Sequence, residues 1–235
     1  METDSVSIIV PCFNEEQSIE PVLDDIAETL GAAGVRYELL LVDDGSTDGT
    51  LERLSGCGRP HKLLRHRRNR GYGASIKTGL RAATHEWVVL MDADGQHRAE
   101  DVLRLMGHRE AADMVVGARD RQGSHYWRMP GKLMLKKISE CLVGQRIPDI
   151  NSGFRLMKRT EALRYMHLCS DQFSFSTSMT LAFLSDRLAV SFVPITIRPR
   201  QGGQSQVRVK TGFSTFMLIL RIIGTFNPLP IFMPP

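Results

Sequence analysis

Three times in the first hundred residues an apolar run ends in a cluster of acids and polar groups: "VSIIV" (6–10) leads into "PCFNEE", "YELLLV" (37–42) into "DDGSTDGT", and "WVVLM" (87–91) into "DADGQH". A fourth short run, "DMVVG" (113–117), leads into "ARD". These runs do not alternate apolar with polar, which is the pattern of strands covered on both faces. Between them apolar residues recur at helical spacing: Ile19, Val22, Leu23, Ile26 and Leu30 after Ser18, Ile76 and Leu80 after Gly73, and Val102, Leu105 and Met106 after Arg98. Strands alternating with helices predict parallel β units and a doubly wound, mostly parallel α/β sheet with helices on both faces.

Beyond residue 120 the alternation weakens. The sequence there offers a basic helix candidate ("GKLMLKKISECLVG"), a turn ("IPDINSGFRLM"), two helix candidates around 161–184 and an extended "AVSFVPITIRPR". We read it as an elaboration of the same domain, which is expected to span 1–211, with 212–235 as a hydrophobic tail. With 42% hydrophobic and 24% charged residues the chain is neither disordered nor fibrous. The net charge of +4 suits nucleic acid, anionic lipid or a phosphorylated substrate alike. Cys12, Cys57, Cys141 and Cys169 form no CxxC pair and no zinc spacing, and "METDSVSIIV" has no secretory signal pattern, so a reducing cytosol is expected.

In open parallel sheets ligands bind outside the carboxyl ends of the strands, where the three polar clusters fall. Asp92 and Asp94 are two residues apart, so an extended segment turns both to one side, and Gln96 continues the series as an oxygen donor. A hard divalent cation takes one or two carboxylates plus substrate phosphates, so this trio suits a metal-bound diphosphate; a polar turn closing the strand is the plainer reading. In "VDDGSTDGT" a turn with Thr47 or Asp48 as helix N-cap leaves Asp44 to accept from a base N–H. "GYGASIKTG" lacks phosphate-loop spacing, and close helix packing accounts for its glycines.

Taken in order, "VSIIVPCFNEE", "LLLVDDGSTDGT", "RNRGYGASIKTGL", "VLMDADGQH", "NSGFRLMKR" and "VPITIRPRQGGQSQVR" resemble GT-A fold glycosyltransferases of the family-2 type, over residues 5–210. The dolichyl- or polyprenyl-phosphate sugar synthases are the branch most similar in appearance. The resemblance implies a nucleotide pocket lined by Pro11, Phe13, Glu15, Val42 and Asp44, with Asp44 on the base. It places Asp92 and Ala93 near the ribose and phosphates, Mg²⁺ or Mn²⁺ on Asp94 and Gln96, and Arg119 facing the phosphates, so that Asp94 and Arg119 carry the catalysis. The loop "RPRQGGQSQVR" departs from the family pattern, with Gln206 where lysine is usual and one extra residue between Arg200 and Ser205.

Many relatives that glycosylate hydroxyls carry an acid as general base in the window that here reads "FSFSTSMTL", where Ser176, Thr177 and Ser178 stand. A hydroxyl needs a base, whereas a lipid phosphate is already anionic at pH 7. The expected acceptor is therefore a polyprenyl phosphate. Arg128, Lys132, Lys136, Arg155 and Arg200 are candidates to meet its phosphate, with Arg121, Lys137 and Arg198 nearby in sequence; a solvated charged face is the alternative for the run. Asp149 and Asp171 either position sugar hydroxyls or cap their turns. Phe213, Phe216, Met217 and Leu220 share one helical stripe behind Arg208 and Lys210, which suits a helix on an anionic membrane surface. Residues 212–235 fall short of the ~20 uninterrupted apolar residues of a spanning helix. The protein is expected on the cytoplasmic face of a membrane, peripheral, or integral if a longer chain continues beyond Pro235. No nucleic-acid partner is expected. The open alternatives are a family-2 enzyme with a hydroxyl acceptor and an inert nucleotide-sugar binding module.

Overall fold

The structure is a computed structural model that describes residues 5–119 and 147–199. Its framework is β1 (Ser5–Cys12), α1 (Ile19–Ala32), β2 (Arg36–Asp43), α2 (Thr50–Gly56), β3 (Lys62–Arg65), α3 (Tyr72–Ala82), β4 (Trp87–Leu90), α4 (Ala99–Met106), β5 (Met114–Arg119), β6 (Arg155–Lys158), α5 (Arg159–Tyr165), α6 (Phe175–Ser185) and β7 (Val190–Ile195). The strands form one seven-stranded sheet in the order β3-β2-β1-β4-β6-β5-β7. Every pairing is parallel except those of β6, which runs antiparallel between β4 and β5. The four apolar runs form β1, β2, β4 and β5, as their pattern predicts.

Helices cover both faces. Ile19, Val22, Leu23, Ile26 and Leu30 are the buried stripe of α1, packed with α4 residues Val102, Leu105 and Met106 against Ile8, Val10 and Leu41. On the other face Ile76 and Leu80 of α3 pack with Phe175, Met179 and Phe183 of α6 against Ile9, Leu40 and Val88. Alternate β1 residues serve opposite faces, as the two-residue period of a strand requires. One prediction is corrected: "IPDINSGFRLM" is a turn only up to Phe154, and Arg155–Lys158 continues it as β6. Strand β3 had no apolar run to announce it.

The amino ends of β5 and β7 and the carboxyl end of β6 are pinned by Asp113. Its carboxylate accepts from Lys158 Nζ at 2.8 Å and from Ala189 N at 3.0 Å. These bonds, that from Lys158 foremost, hold the Asp113 carboxyl below its usual range against the opposing effect of burial. A carboxyl depressed on folding contributes stability that is complete above its unfolded pKa of ~3.9 and is lost as pH falls through the folded value. Asp113→Asn is therefore expected to lower stability by about 1 kcal/mol at pH 7. Thermal unfolding followed from pH 7 to pH 2 should show variant and native protein converging in acid; a constant gap would exclude the ion pair as the cause.

Candidate active site

Strand order reverses between β1 and β4, since β1 is flanked by β2 on one side and β4 on the other. Such a switch point opens a crevice beyond the carboxyl ends of the strands. One wall is a pair of cross-linked loops. Asn14 N donates to Ser46 Oγ (3.1 Å), Thr47 N to Asn14 Oδ1 (2.9 Å), Glu15 N to Thr50 Oγ1 (2.8 Å) and Gly49 N to Glu16 Oε2 (2.8 Å). The N-cap of α2 is Gly49 rather than Thr47 or Asp48; Asp48 Oδ1 instead accepts from Thr50 N one residue inside the helix. Pro11 and Phe13 are partly exposed along this wall, and the Glu15 carboxylate accepts from Ser18 Oγ at 2.9 Å.

Two of the residues expected near the nucleotide have buried side chains. Val42 is wholly buried within the α3 face of the core, so any contact with a nucleotide falls to its backbone. Ala93 likewise packs its methyl into the α1–α4 core, so any role near a ribose falls to its backbone. Asp44 is buried and already employed. Its Oδ1 lies 2.6 Å from His66 Nδ1 and accepts from Arg70 N (2.9 Å), and its Oδ2 accepts from Gly71 N (2.8 Å). It thereby fixes the loop that carries the exposed Arg67, Arg68 and Arg70. His66 Nε2 continues to Thr78 Oγ1 at 2.9 Å, tying Asp44 to α3.

The glycines that open α3 serve packing. A Cβ on Gly73 would come 2.1 Å from Ser170 O, and one on Gly71, whose φ is +105°, 2.4 Å from Asp171 O. The Asp171 carbonyl accepts from Ala74 N, so the start of α3 is occupied by chain rather than open to a phosphate. The Asp171 carboxylate pairs with Lys77 Nζ at 2.6 Å.

Asp92, Asp94 and Gln96 follow β4 at the switch point. Asp92 accepts from Tyr72 Oη at 2.8 Å, and His97 Nε2 lies 3.8 Å from its other oxygen. Burial pushes the Asp92 carboxyl up, yet the neighbouring His97, the hydrogen bond from Tyr72 and the charge of Arg119 together outweigh it, leaving the group below its usual value. Asp94 is buried and closes its own turn by accepting from Gln96 N at 3.1 Å. The Gln96 carbonyl accepts from Arg198 N at 2.9 Å, so the segment after β7 begins beside it; the Arg198 guanidinium turns to Asp25, 3.6 Å away. Among the described residues no trio of His, Cys, Asp or Glu is grouped to hold a metal by itself. Two carboxylates and an amide are a donor set that suits a hard cation completed by phosphate oxygens.

Opposite the acids, Arg119 ends β5. Its Nε and Nη2 donate to Asp149 Oδ2 (2.7 Å) and Oδ1 (3.1 Å), a side-on fork onto a carboxylate with no exposed surface. Such bidentate pairs fix orientation as well as charge. Asp149 also accepts from Asn151 N at 3.3 Å, so it both holds its turn and aims the arginine.

Arg155 is corrected outright as an acceptor contact. It is fully buried, donates to Ser152 O, Ser176 O (2.9 Å) and Thr180 Oγ1 (3.0 Å), and burial draws its pKa down to about 10. A position at the start of a central strand, covered by α6, leaves it no route to a ligand. Thr177 Oγ1 donates to Asn151 Oδ1 (2.7 Å) and Ser178 Oγ to Ser174 O (2.8 Å), so two hydroxyls of the first turn of α6 are bound within the protein, and Ser176 is buried. Arg121, Arg128, Lys132, Lys136, Lys137, Arg200, Arg208, Lys210 and the whole 212–235 tail lie outside the described residues. No helix among the described residues is long and apolar enough to cross a membrane.

Residues 7–165 match the family described as glycosyl transferase family 2. This chain belongs to that family. It is 28% identical over 228 residues to a dolichol-phosphate mannosyltransferase of Pyrococcus furiosus, covering 93% of this chain and 63% of that protein. It is 30% identical over 184 residues to an undecaprenyl-phosphate 4-deoxy-4-formamido-L-arabinose transferase of Aeromonas hydrophila, covering 76% of this chain and 56% of the relative. An uncharacterized protein of Methanocaldococcus jannaschii matches at 30% identity over 94% of this chain and 93% of its own length. The chain thus spans somewhat over half of the two named transferases. Among solved structures, glucosyl-3-phosphoglycerate synthase from Mycobacterium tuberculosis, in complex with Mn²⁺, UDP and phosphoglyceric acid, superposes with a TM-score of 0.75 at 21% identity over 94% of this chain and 79% of its own, a shared GT-A fold.

Within this glycosyltransferase the structure adds residues that sequence reasoning passed over. Tyr72 and His97 flank Asp92, His66 holds Asp44, and Gly153 lies against both Tyr72 and Asp92. The only signals were a tyrosine between two glycines and a glycine within "NSGF". The Arg119–Asp149 pair joins residues far apart in sequence that had been weighed separately.

Proposed function

We propose that this family-2 glycosyltransferase moves a hexose from a nucleotide sugar to a polyprenyl phosphate, with inversion and with the help of a divalent cation. The observation that carries the reading is the Arg119 guanidinium, fixed by buried Asp149 within electrostatic reach of Asp92. It sets a rigid cation against a cluster of acids, as a reaction between two phosphate-bearing substrates requires. The names of the Pyrococcus and Aeromonas relatives support the lipid phosphate, and the UDP and Mn²⁺ in the Mycobacterium synthase support the donor and cation.

The nucleotide lies along Pro11, Phe13, Glu15 and Asp44, with Asp92 toward the ribose. Asp94 and Gln96 would hold Mg²⁺ or Mn²⁺, which would supply positive charge for the departing diphosphate. An acceptor phosphate oxygen forms the bond to the anomeric carbon while the bond from that carbon to the diphosphate breaks, its electron pair leaving on the diphosphate. No proton has to be removed from an ionised phosphate, in keeping with a first turn of α6 that carries hydroxyls and no acid where a general base would stand. Arg119 orients the phosphates. The 212–235 tail meets the membrane that carries the acceptor, on its cytoplasmic face.

The test is transfer from a panel of labelled UDP- and GDP-sugars to a polyprenyl phosphate in detergent, with Mn²⁺ and with chelator. Labelled lipid formed only with metal is the expected result. Nucleotide binding without labelled lipid from any donor would overturn the acceptor assignment.

A further inference from the structure

Tyr72 is the first residue of α3, and everything around it restricts its movement. Its ring stacks on Phe173, with centroids 5.6 Å apart and planes 14° from parallel. The glycines on either side of it are pressed against the backbone of residues 170–172. Its hydroxyl donates to Asp92 Oδ1 at 2.8 Å. Burial, and then the neighbouring Asp92 charge, push the phenol well above its ordinary pKa, so the group that meets the carboxylate is a neutral donor.

Gly153 closes the arrangement from the other side. A Cβ there would lie 2.7 Å from Tyr72 Oη, close enough to force a shift, and at a tight 3.1 Å from Asp92 Oδ2, so the chain brings bare backbone up to the pair. An aspartate at a strand end has a broad, roughly two-fold terminal torsion and does not hold its own plane. Here one oxygen is held by a phenol stacked on Phe173, and beside the other lie Gly153 and, 3.8 Å away, His97 Nε2.

We propose that Tyr72 is a positioning residue that sets the plane of the Asp92 carboxylate for the nucleotide-sugar donor, with Gly153 providing the room; this rests on the reading of Asp92 as a donor contact. Tyr72 does not touch the reacting atoms. Its effect passes through Asp92, which makes the proposal testable as a coupling.

The experiment compares Tyr72→Phe, Asp92→Ala and the double variant with the native chain, each measured for kcat, for KM of donor and of polyprenyl phosphate, for UDP and GDP binding, and for thermal unfolding. Phenylalanine keeps the stack on Phe173, so folding is preserved. Tyr72→Phe should lower kcat/KM for the donor by about tenfold, the low end for losing an outer hydrogen bond at such a site, with the acceptor KM unchanged. In the Asp92→Ala background the same change should cost less than twofold, because the acceptor it positions has been removed. Where turnover is too low to measure, nucleotide dissociation constants complete the cycle. Gly153→Ala should reproduce the donor-specific loss. An equal loss from Tyr72→Phe in both backgrounds, or none in either, would overturn the positioning role while leaving Asp92 as a donor contact. Native activity in Asp92→Ala would overturn the donor reading itself, and the proposal with it.

Discussion

Asp94→Ala should reduce metal-stimulated sugar transfer by about a thousandfold, the upper range for removing one preorganised group that stabilises charge in a transition state. The Asp94 side chain performs two tasks that the substitution separates poorly: it accepts from Gln96 N to close its turn, and it is the buried acid of the trio that faces the crevice. Asp94→Asn keeps an acceptor for the turn and loses the charge. If the proposed cation is held at Asp94, both variants fail together, and raising Mn²⁺ recovers little of either. If the turn is what matters, the asparagine variant recovers most of the activity. Transfer measured across a Mn²⁺ titration separates the two, and survival of activity in Asp94→Ala with an unchanged metal dependence would remove Asp94 from the cation site.

Arg155→Ala should destabilise the fold by about 3 kcal/mol, within the 2–5 kcal/mol range for emptying a large buried site. The guanidinium satisfies Ser152 O, Ser176 O and Thr180 Oγ1, and its removal leaves a carbonyl in the 152–154 segment without its donor at a cost of roughly 1–3 kcal/mol. Relief from burying a charge, visible in the pKa of about 10, offsets part of that loss. Urea unfolding gives the value directly, and a change below about 1 kcal/mol would mean that the network relaxes around the gap. Because Gly153 lies between Ser152 and Phe154, the same variant should lose donor affinity at temperatures where it is still folded.

The parts of this protein that were legible in its sequence are those where one physical demand dominates. Strands β1, β2, β4 and β5 are covered on both faces, so their residues could only be apolar, and the five-residue stripe of α1 follows from a single buried side. Strand β3 is an edge strand of four residues with Lys62 and Arg65 exposed at its ends, which leaves no apolar run to find. Arg155 was misread because arginine is rarely buried; its burial depends on acceptors supplied by residues 152, 176 and 180, a convergence that no local pattern encodes. The three strand-end clusters do fall together at one edge of the sheet, because β1, β2 and β4 run parallel. The partners that orient those acids, Tyr72 for Asp92 and His66 for Asp44, come from neighbouring strands and helices, and only the fold brings them together.

The reversal of β6 has an effect on how such a protein can diversify. In a wholly parallel sheet, only the connections that leave strands reach the catalytic rim. Turning one strand around makes the connection that enters it, residues 147–154, arrive on the same rim where β5 departs. The two anchorage points there, Arg119 and Asp149, are joined by their fork. Both ends of the intervening sequence are thus set by the described framework, so a lineage can lengthen, shorten or replace it to meet a new acceptor while the register of the described strands stays as it was.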